Sequence, residues 1–111
     1  MEFRGDYTNL YTMAVHHGVW PNIVYDAGSS HGPDLTADFH TYKCIWDPNF
    51  IAWFRDGQEV YRVSDWNKIP HEPMYLVMNV AVGGGYPGYP DWSTPFPTHM
   101  VVDYVTVHKW Q

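Results

Sequence analysis

Residues 74–88 read MYLVMNVAVGGGYPG, and the rest of the chain is organised around them. The run is apolar from Met74 through Val82, broken only by Asn79. A strand covered on both faces reads this way, because neither face shows polar side chains. The run ends in Gly83, Gly84 and Gly85, followed by Tyr86, Pro87, Gly88, Tyr89 and Pro90. Glycines there allow positive φ and close approach to the backbone. The expectation is a central strand entering a permissive loop rich in aromatic rings. Asn79 then needs hydrogen-bond partners, since a buried unpaired amide is costly. Either neighbouring backbone satisfies it or it faces a cleft and touches a ligand.

Outward from this stretch, almost nothing reads as helix. The 9 Pro and 9 Gly punctuate the chain, and β-branched and aromatic residues fill the intervals. Tyr7–His17 alternates weakly and reads as a strand. Residues 18–38 read as a long loop holding a short strand at Ile23–Tyr25, and loops of that length usually carry function or pack over a site. Phe39–Trp46 reads as a strand, and Asp47–Pro48–Asn49 as a turn. Phe50–Arg55 and Gln58–Val63, joined by Asp56–Gly57, form the clearest hairpin, because Asp-Gly supplies the positive φ angles of a type I′ turn. Residues 64–73 connect to the central strand, and Met100–His108 is the last strand. About six strands in meander order predict an all-β fold, an antiparallel β-sandwich or jelly roll. A doubly covered strand near the end implies part of a larger sandwich.

The 111 residues suit one small domain. With 6 Lys+Arg against 12 Asp+Glu the net charge is −6, which argues against nucleic acid and anionic membrane as partners. No apolar run is long enough to span a bilayer, and the N-terminus, MEFRGDYTN, does not form a signal peptide. One cysteine, Cys44, excludes an internal disulfide framework and reads as a small buried residue. Aromatic residues make up 18% of the chain, an excess that suits a sugar-binding surface as well as β-structure.

Two longer segments, FHTYKCIWDPNFIAWFRDGQEV (39–60) and PMYLVMNVAVGGGYPGYPDWSTPFPTHMVVDYVTV (73–107), resemble glycoside hydrolase family 16, the laminarinase and lichenase family. The match is strong over residues 39–108 and looser over 1–38, and its detail is most similar to the endo-1,3-β-glucanase branch. The resemblance implies a concanavalin A-like jelly roll that hydrolyses internal β-1,3-glucan bonds with retention of configuration. It needs no cofactor for catalysis. Residues 1–111 are then the C-terminal part of one catalytic domain, incomplete because its N-terminal strands are missing. The parent is expected to be secreted and monomeric, with a β-glucan as its partner.

The family's catalytic signature is Glu-x-Asp-x-x-Glu on one strand. Glu2 in Met1–Glu2–Phe3 matches its last position, the general acid/base. The nucleophile and the middle Asp would lie before Met1, so the resemblance implies an inactive fragment. His16 matches a cleft histidine, Asn79 a cleft contact, and Tyr86 an aromatic of the family's loop, where Trp is usual. Trp20 and Trp92 are loop rings that could stack on sugar or cap the core. Asp103, among Val101, Val105 and Val107, matches a ligand of a structural calcium away from the cleft.

His40, which would share a face with Tyr42, Cys44 and Trp46, is assigned a structural role. His16 and His17 point to opposite faces of a strand, which disfavours zinc. The rival readings are a non-catalytic glucan-binding module, a transglycosylase on the same fold, and a fragment without its own function. Open sheet faces and edges predict poor solubility.

Overall fold

The structure is a computed structural model describing residues 1–109; the last two positions of the expected 1–111 domain lie outside the described residues. The described residues form six strands and one turn of 3-10 helix. The strands are β1 (Glu2–Phe3), β2 (Leu10–His17), β3 (Val24–His31), β4 (Tyr42–Asp47), β5 (Phe50–Arg55) and β6 (Gln58–Val63). They make two three-stranded antiparallel sheets, ordered β1-β2-β3 and β4-β5-β6. The all-β class is therefore as expected. The chain divides into two compact units, Met1–Met74, which holds both sheets, and Tyr75–Gln111.

In the first unit, period-two alternation decides what is buried. Along β2, Tyr11, Met13 and Val15 are buried, while Leu10, Thr12, Ala14 and His16 face the other way. On β5, Ile51 and Trp53 point inward, and Val63 and Tyr61 of β6 stand opposite them. These residues, with Leu35 and Ile69, make one core. Tyr61 stacks on Trp53 with ring centroids 5.5 Å apart. Its ring also lies over Gly28 of β3, where an added Cβ would stand 2.5 Å from ring carbons. Gly28 thus lets the two sheets approach.

The β5–β6 hairpin is the one expected. Asp56 (φ 50°) and Gly57 (φ 82°) both take positive φ, as a type I′ turn requires. His40 clamps this turn, its Nδ1 lying 2.9 Å from Asp56 Oδ2, while the Thr41 N–H donates to Asp56 Oδ1 at 3.0 Å. Burial raises the Tyr11 hydroxyl well above the usual tyrosine range, so it stays neutral in the core. On the outer side of the second sheet, Lys43 lies over Phe54 and Arg62 over Phe50, shielding rings that the core does not take.

The connector from Ser64 to Pro73 is folded rather than slack. Trp66–Lys68 forms the 3-10 turn, capped by the Asp65 side chain. Trp46 Nε1 donates to the Pro70 carbonyl at 2.9 Å, and Ile69 is buried. Lys68 Nζ stands 2.9 Å from Asp26 Oδ1, and His17 Nε2 stands 2.8 Å from Asp26 Oδ2. One β3 carboxylate therefore ties β2 and the connector together. The Lys68 hydrogen bond first, and the His17 contact second, hold the Asp26 carboxyl below the ordinary aspartate range.

Several expectations are corrected. Within residues 18–38 the short strand expected at Ile23–Tyr25 is instead the eight-residue Val24–His31, paired along its whole length with β2. Its composition, VYDAGSSH, is poor in β-formers, and the ladder with β2 overrides propensity. Conversely, the expected central strand from Met74 to Val82 and the last strand over 100–108 form no ladder. An apolar run makes such a strand only with partners on both edges and a layer on each face. Among the described residues of the second unit no strand offers such a partner, and Tyr75 and Val107 are exposed at 88% and 85%. Asn79 is consequently exposed, not a buried amide, and Asp103 has no strand face to share with valines. Cys44 is exposed, because β4 is an edge strand.

Two outcomes follow from this packing. Gly28→Ala is expected to destabilise the fold by about 1–3 kcal/mol, because the Tyr61 ring must leave its place on Trp53; urea denaturation measures it. For Asp26, the carboxyl is depressed in the fold, so its contribution is present above the ordinary aspartate value and is lost as pH falls through the folded one. The melting temperature of the wild type should drop on acidification below pH about 4, and that of Asp26→Asn should drop less over the same window. Scanning calorimetry across pH 2–6 checks this.

Candidate functional site

The face of the first sheet that turns away from the core carries a distinct set of side chains. Antiparallel partners share a face, so the register places them directly. Glu2 stands opposite Thr12, Thr12 opposite Ser29, Ala14 opposite Ala27, His16 opposite Tyr25, and Leu10 opposite His31. The middle of this surface is floored by small residues, Thr12, Ala14, Ala27 and Ser29. Bulkier pairs stand at either end, His16 with Tyr25 and Leu10 with His31. From the His31 level to the Tyr25 level is six residues, about 20 Å of strand. Glu2 flanks the floor at Thr12, and its backbone carbonyl accepts a hydrogen bond from the Thr12 hydroxyl at 3.3 Å.

Chemically, the face offers a carboxyl, two hydroxyls, two imidazoles and a phenol ring on a flat, uncrowded floor. Such groups can hydrogen-bond to a polyol and stack on its C–H faces. Glu2 is the only carboxylate on this face among the described residues of β1–β3; Asp26 points to the other side, opposite core residue Val15. At the end of β2 lies a cleft of about 300 Å³, bordered by His16, His17, Asn67, Ile69 and Glu72.

Of the residues singled out from the sequence, the structure puts Glu2 and His16 on this one face, with His16 four residues along β2 from Glu2's partner, about 13 Å. Trp20 is 83% exposed in the turn between β2 and β3, at the same end as His16 and Tyr25. His17 points inward to Asp26, as its parity requires. Asn79, Tyr86, Trp92 and Asp103 belong to the second unit. There Gly83, Gly84 and Gly88 take positive φ, which explains why the loop needs glycine. Tyr86 is half-exposed and Trp92 is almost fully exposed.

Among the described residues, no group of three or more His, Cys, Asp or Glu could hold a metal ion. No helix of the described residues is long and apolar enough to cross a membrane.

Reading the sequence alone missed Ser29 and His31, which fell in the expected loop, and missed Tyr25, which stood in the short strand expected at Ile23–Tyr25 with no role assigned. The signal available was the outward parity of Tyr25, Ala27, Ser29 and His31, visible only once VYDAGSSH is taken as strand.

Comparisons with known proteins bear on this surface. The signature of glycosyl hydrolases family 16 matches residues 1–106. A glucan endo-1,3-beta-glucosidase A1 of Niallia circulans is 34% identical over all of this chain and 19% of its own length. A beta-glucanase of Rhodothermus marinus is 38% identical over 75% of this chain and 33% of its own length. A xylanase/beta-glucanase of Ruminococcus flavefaciens is 36% identical over 78% of this chain and 10% of its own length. The chain therefore spans a third or less of these relatives. No solved structure matches it significantly. With the family signature running from Glu2 through β6 and into the second unit, the chain belongs to glycosyl hydrolases family 16 and carries part of its jelly-roll fold.

Proposed function

We propose that this chain supplies the acid/base side of a β-1,3-glucan-cleaving groove, as the C-terminal part of a single catalytic domain. The observation that carries the reading is the position of Glu2: on the outward face of the first sheet, beside Thr12 and Ser29, with His16 further along. Similarity to a glucan endo-1,3-beta-glucosidase supports the β-1,3 linkage and internal cleavage.

The chemistry follows from what such a bond needs. A glycosidic bond breaks with retention when two carboxyl groups stand about 5–5.5 Å apart across the anomeric carbon. One attacks that carbon; the other protonates the departing oxygen and then takes a proton from water. Glu2 has the second role. The attacking carboxylate comes from outside the residues that share its face. His16 hydrogen-bonds sugar hydroxyls from its place on β2. Asn79 is a further sugar contact, and Tyr86 and Trp20 supply stacking rings. No cofactor takes part in bond cleavage. Asp103 offers one oxygen to a structural calcium whose remaining oxygens these residues do not gather, since calcium takes six to eight. The parent protein is secreted and acts as a monomer on a polysaccharide.

One observation favours a second reading. A face with a single carboxylate is also what a glucan-binding module without hydrolysis would present. The two meet in one experiment. The 111-residue chain should bind laminarin by calorimetry yet release no reducing sugar from it. Reducing-sugar release by the purified chain would show that Glu2 does have a working partner within it. Absence of laminarin binding would remove the groove reading altogether.

A further inference from the structure

We propose that the free edge of β4 is a self-association surface, on which two copies of this chain pair their β4 strands antiparallel about a two-fold axis at Ile45. Their second sheets then join into one. The inference goes beyond the glucan reading, since β4 belongs to the second sheet and the candidate groove to the first. It concerns the 111-residue chain rather than its longer parent.

Three observations carry it. Among the described residues β4 pairs with β5 alone, so its other edge has no ladder. The Thr41 carbonyl accepts from the Asp56 N–H at 2.9 Å, which turns the Thr41 backbone toward β5. Alternation then turns the backbone groups of Tyr42, Cys44 and Trp46 out to the free edge, a template for another strand. Next, the core layer stops short at β4. Tyr42, Cys44 and Trp46 stand opposite Arg55, Trp53 and Ile51, which are buried, yet Tyr42 and Trp46 are 40% and 39% exposed and Cys44 is exposed too. Finally, the outer face of β4 reads cation, apolar, anion at alternate positions, Lys43, Ile45 and Asp47, with Lys43 lying over the Phe54 ring on that side. Reversed upon itself, this pattern is its own complement.

These features select one register. Opposite residues of an antiparallel pair share a face, so inner side chains of one copy must meet inner side chains of the other. With Ile45 opposite the partner's Ile45, Lys43 faces the partner's Asp47 and Asp47 faces the partner's Lys43. On the inner side, Cys44 faces the partner's Trp46, which covers what the single chain leaves open. The adjacent registers of the same parity set Lys43 or Asp47 against the partner's Ile45 and lose both charge pairs. Asp47 Oδ1 already accepts from the Asn49 N–H at 2.8 Å, and a carboxylate keeps acceptor sites for a lysine beside that bond. A contact of this kind is isologous and closes at the dimer.

The test is sedimentation equilibrium of the 111-residue chain, which should show a monomer–dimer equilibrium. Lys43→Asp alone, or Asp47→Lys alone, sets like charges opposite each other twice and should raise the dimer dissociation constant about tenfold. The double exchange Lys43→Asp/Asp47→Lys should restore it. Cys44→Ser/Ile45→Cys should give a disulfide-linked dimer on mild oxidation, because the axis brings the two position-45 backbones within disulfide reach. A chain that sediments as a monomer at every concentration overturns the proposal, as does growth beyond the dimer. A dimer indifferent to Lys43→Asp, or a double exchange that fails to recover, overturns the charge-matched register. If the charge variants melt well below the unaltered chain, the oxidation decides: no covalent dimer means no axis at Ile45.

Discussion

The ladder between β2 and β3 is the constraint on which the rest of the first unit depends. Eight residue pairs, from Leu10 with His31 to His17 with Val24, fix which side chains point inward and which point out. A slip of one residue would turn Tyr11, Met13 and Val15 out to solvent and drive Thr12 and His16 into the core. Core and outward surface are therefore two consequences of one register. The register is held from outside the ladder as well. Tyr61 fits only over Gly28, and Asp26 reaches His17 and Lys68 only from the inner face.

The asymmetry between the two faces explains the division of labour. The inner face is apolar and closely packed, with aromatic contacts such as Tyr61 on Trp53 and Tyr11 against Tyr42 at 5.1 Å. On the outer face the polar Glu2, His16 and Ser29 are exposed. A polyol suits such a face, since it can satisfy those groups without their becoming unpaired. The contacts of Asp26 with His17 and Lys68 lie at the boundary, where Lys68 brings the folded connector to the end of β2 beside the cleft.

The second unit shows the opposite limit. Its apolar runs have the composition of covered strands, yet extended backbone becomes a strand only when another strand takes its hydrogen bonds. Among the described residues, 75–109 have no ladder partner, and most of their side chains are exposed. The glycine-rich loop is different, because its positive φ angles are a local matter that needs no partner.

This contrast separates what the amino-acid order determined from what packing decided. The β5–β6 hairpin was legible because Asp56–Gly57 specifies a turn and the turn specifies the pairing. The positive-φ glycines and the outward direction of His16 relative to His17 were legible for the same reason: each depends on neighbours in the chain. Family membership was legible too, carried by two segments of specific order and spacing. β3 beyond Tyr25 was hidden, because DAGSSH becomes strand only through its ladder with β2. The exposure of Asn79, Asp103 and Cys44 was equally hidden, since burial belongs to the layers around a residue and not to the residue itself. So was Tyr25 as a partner of His16: the two are nine positions apart in sequence, and only the pairing of their strands makes them neighbours.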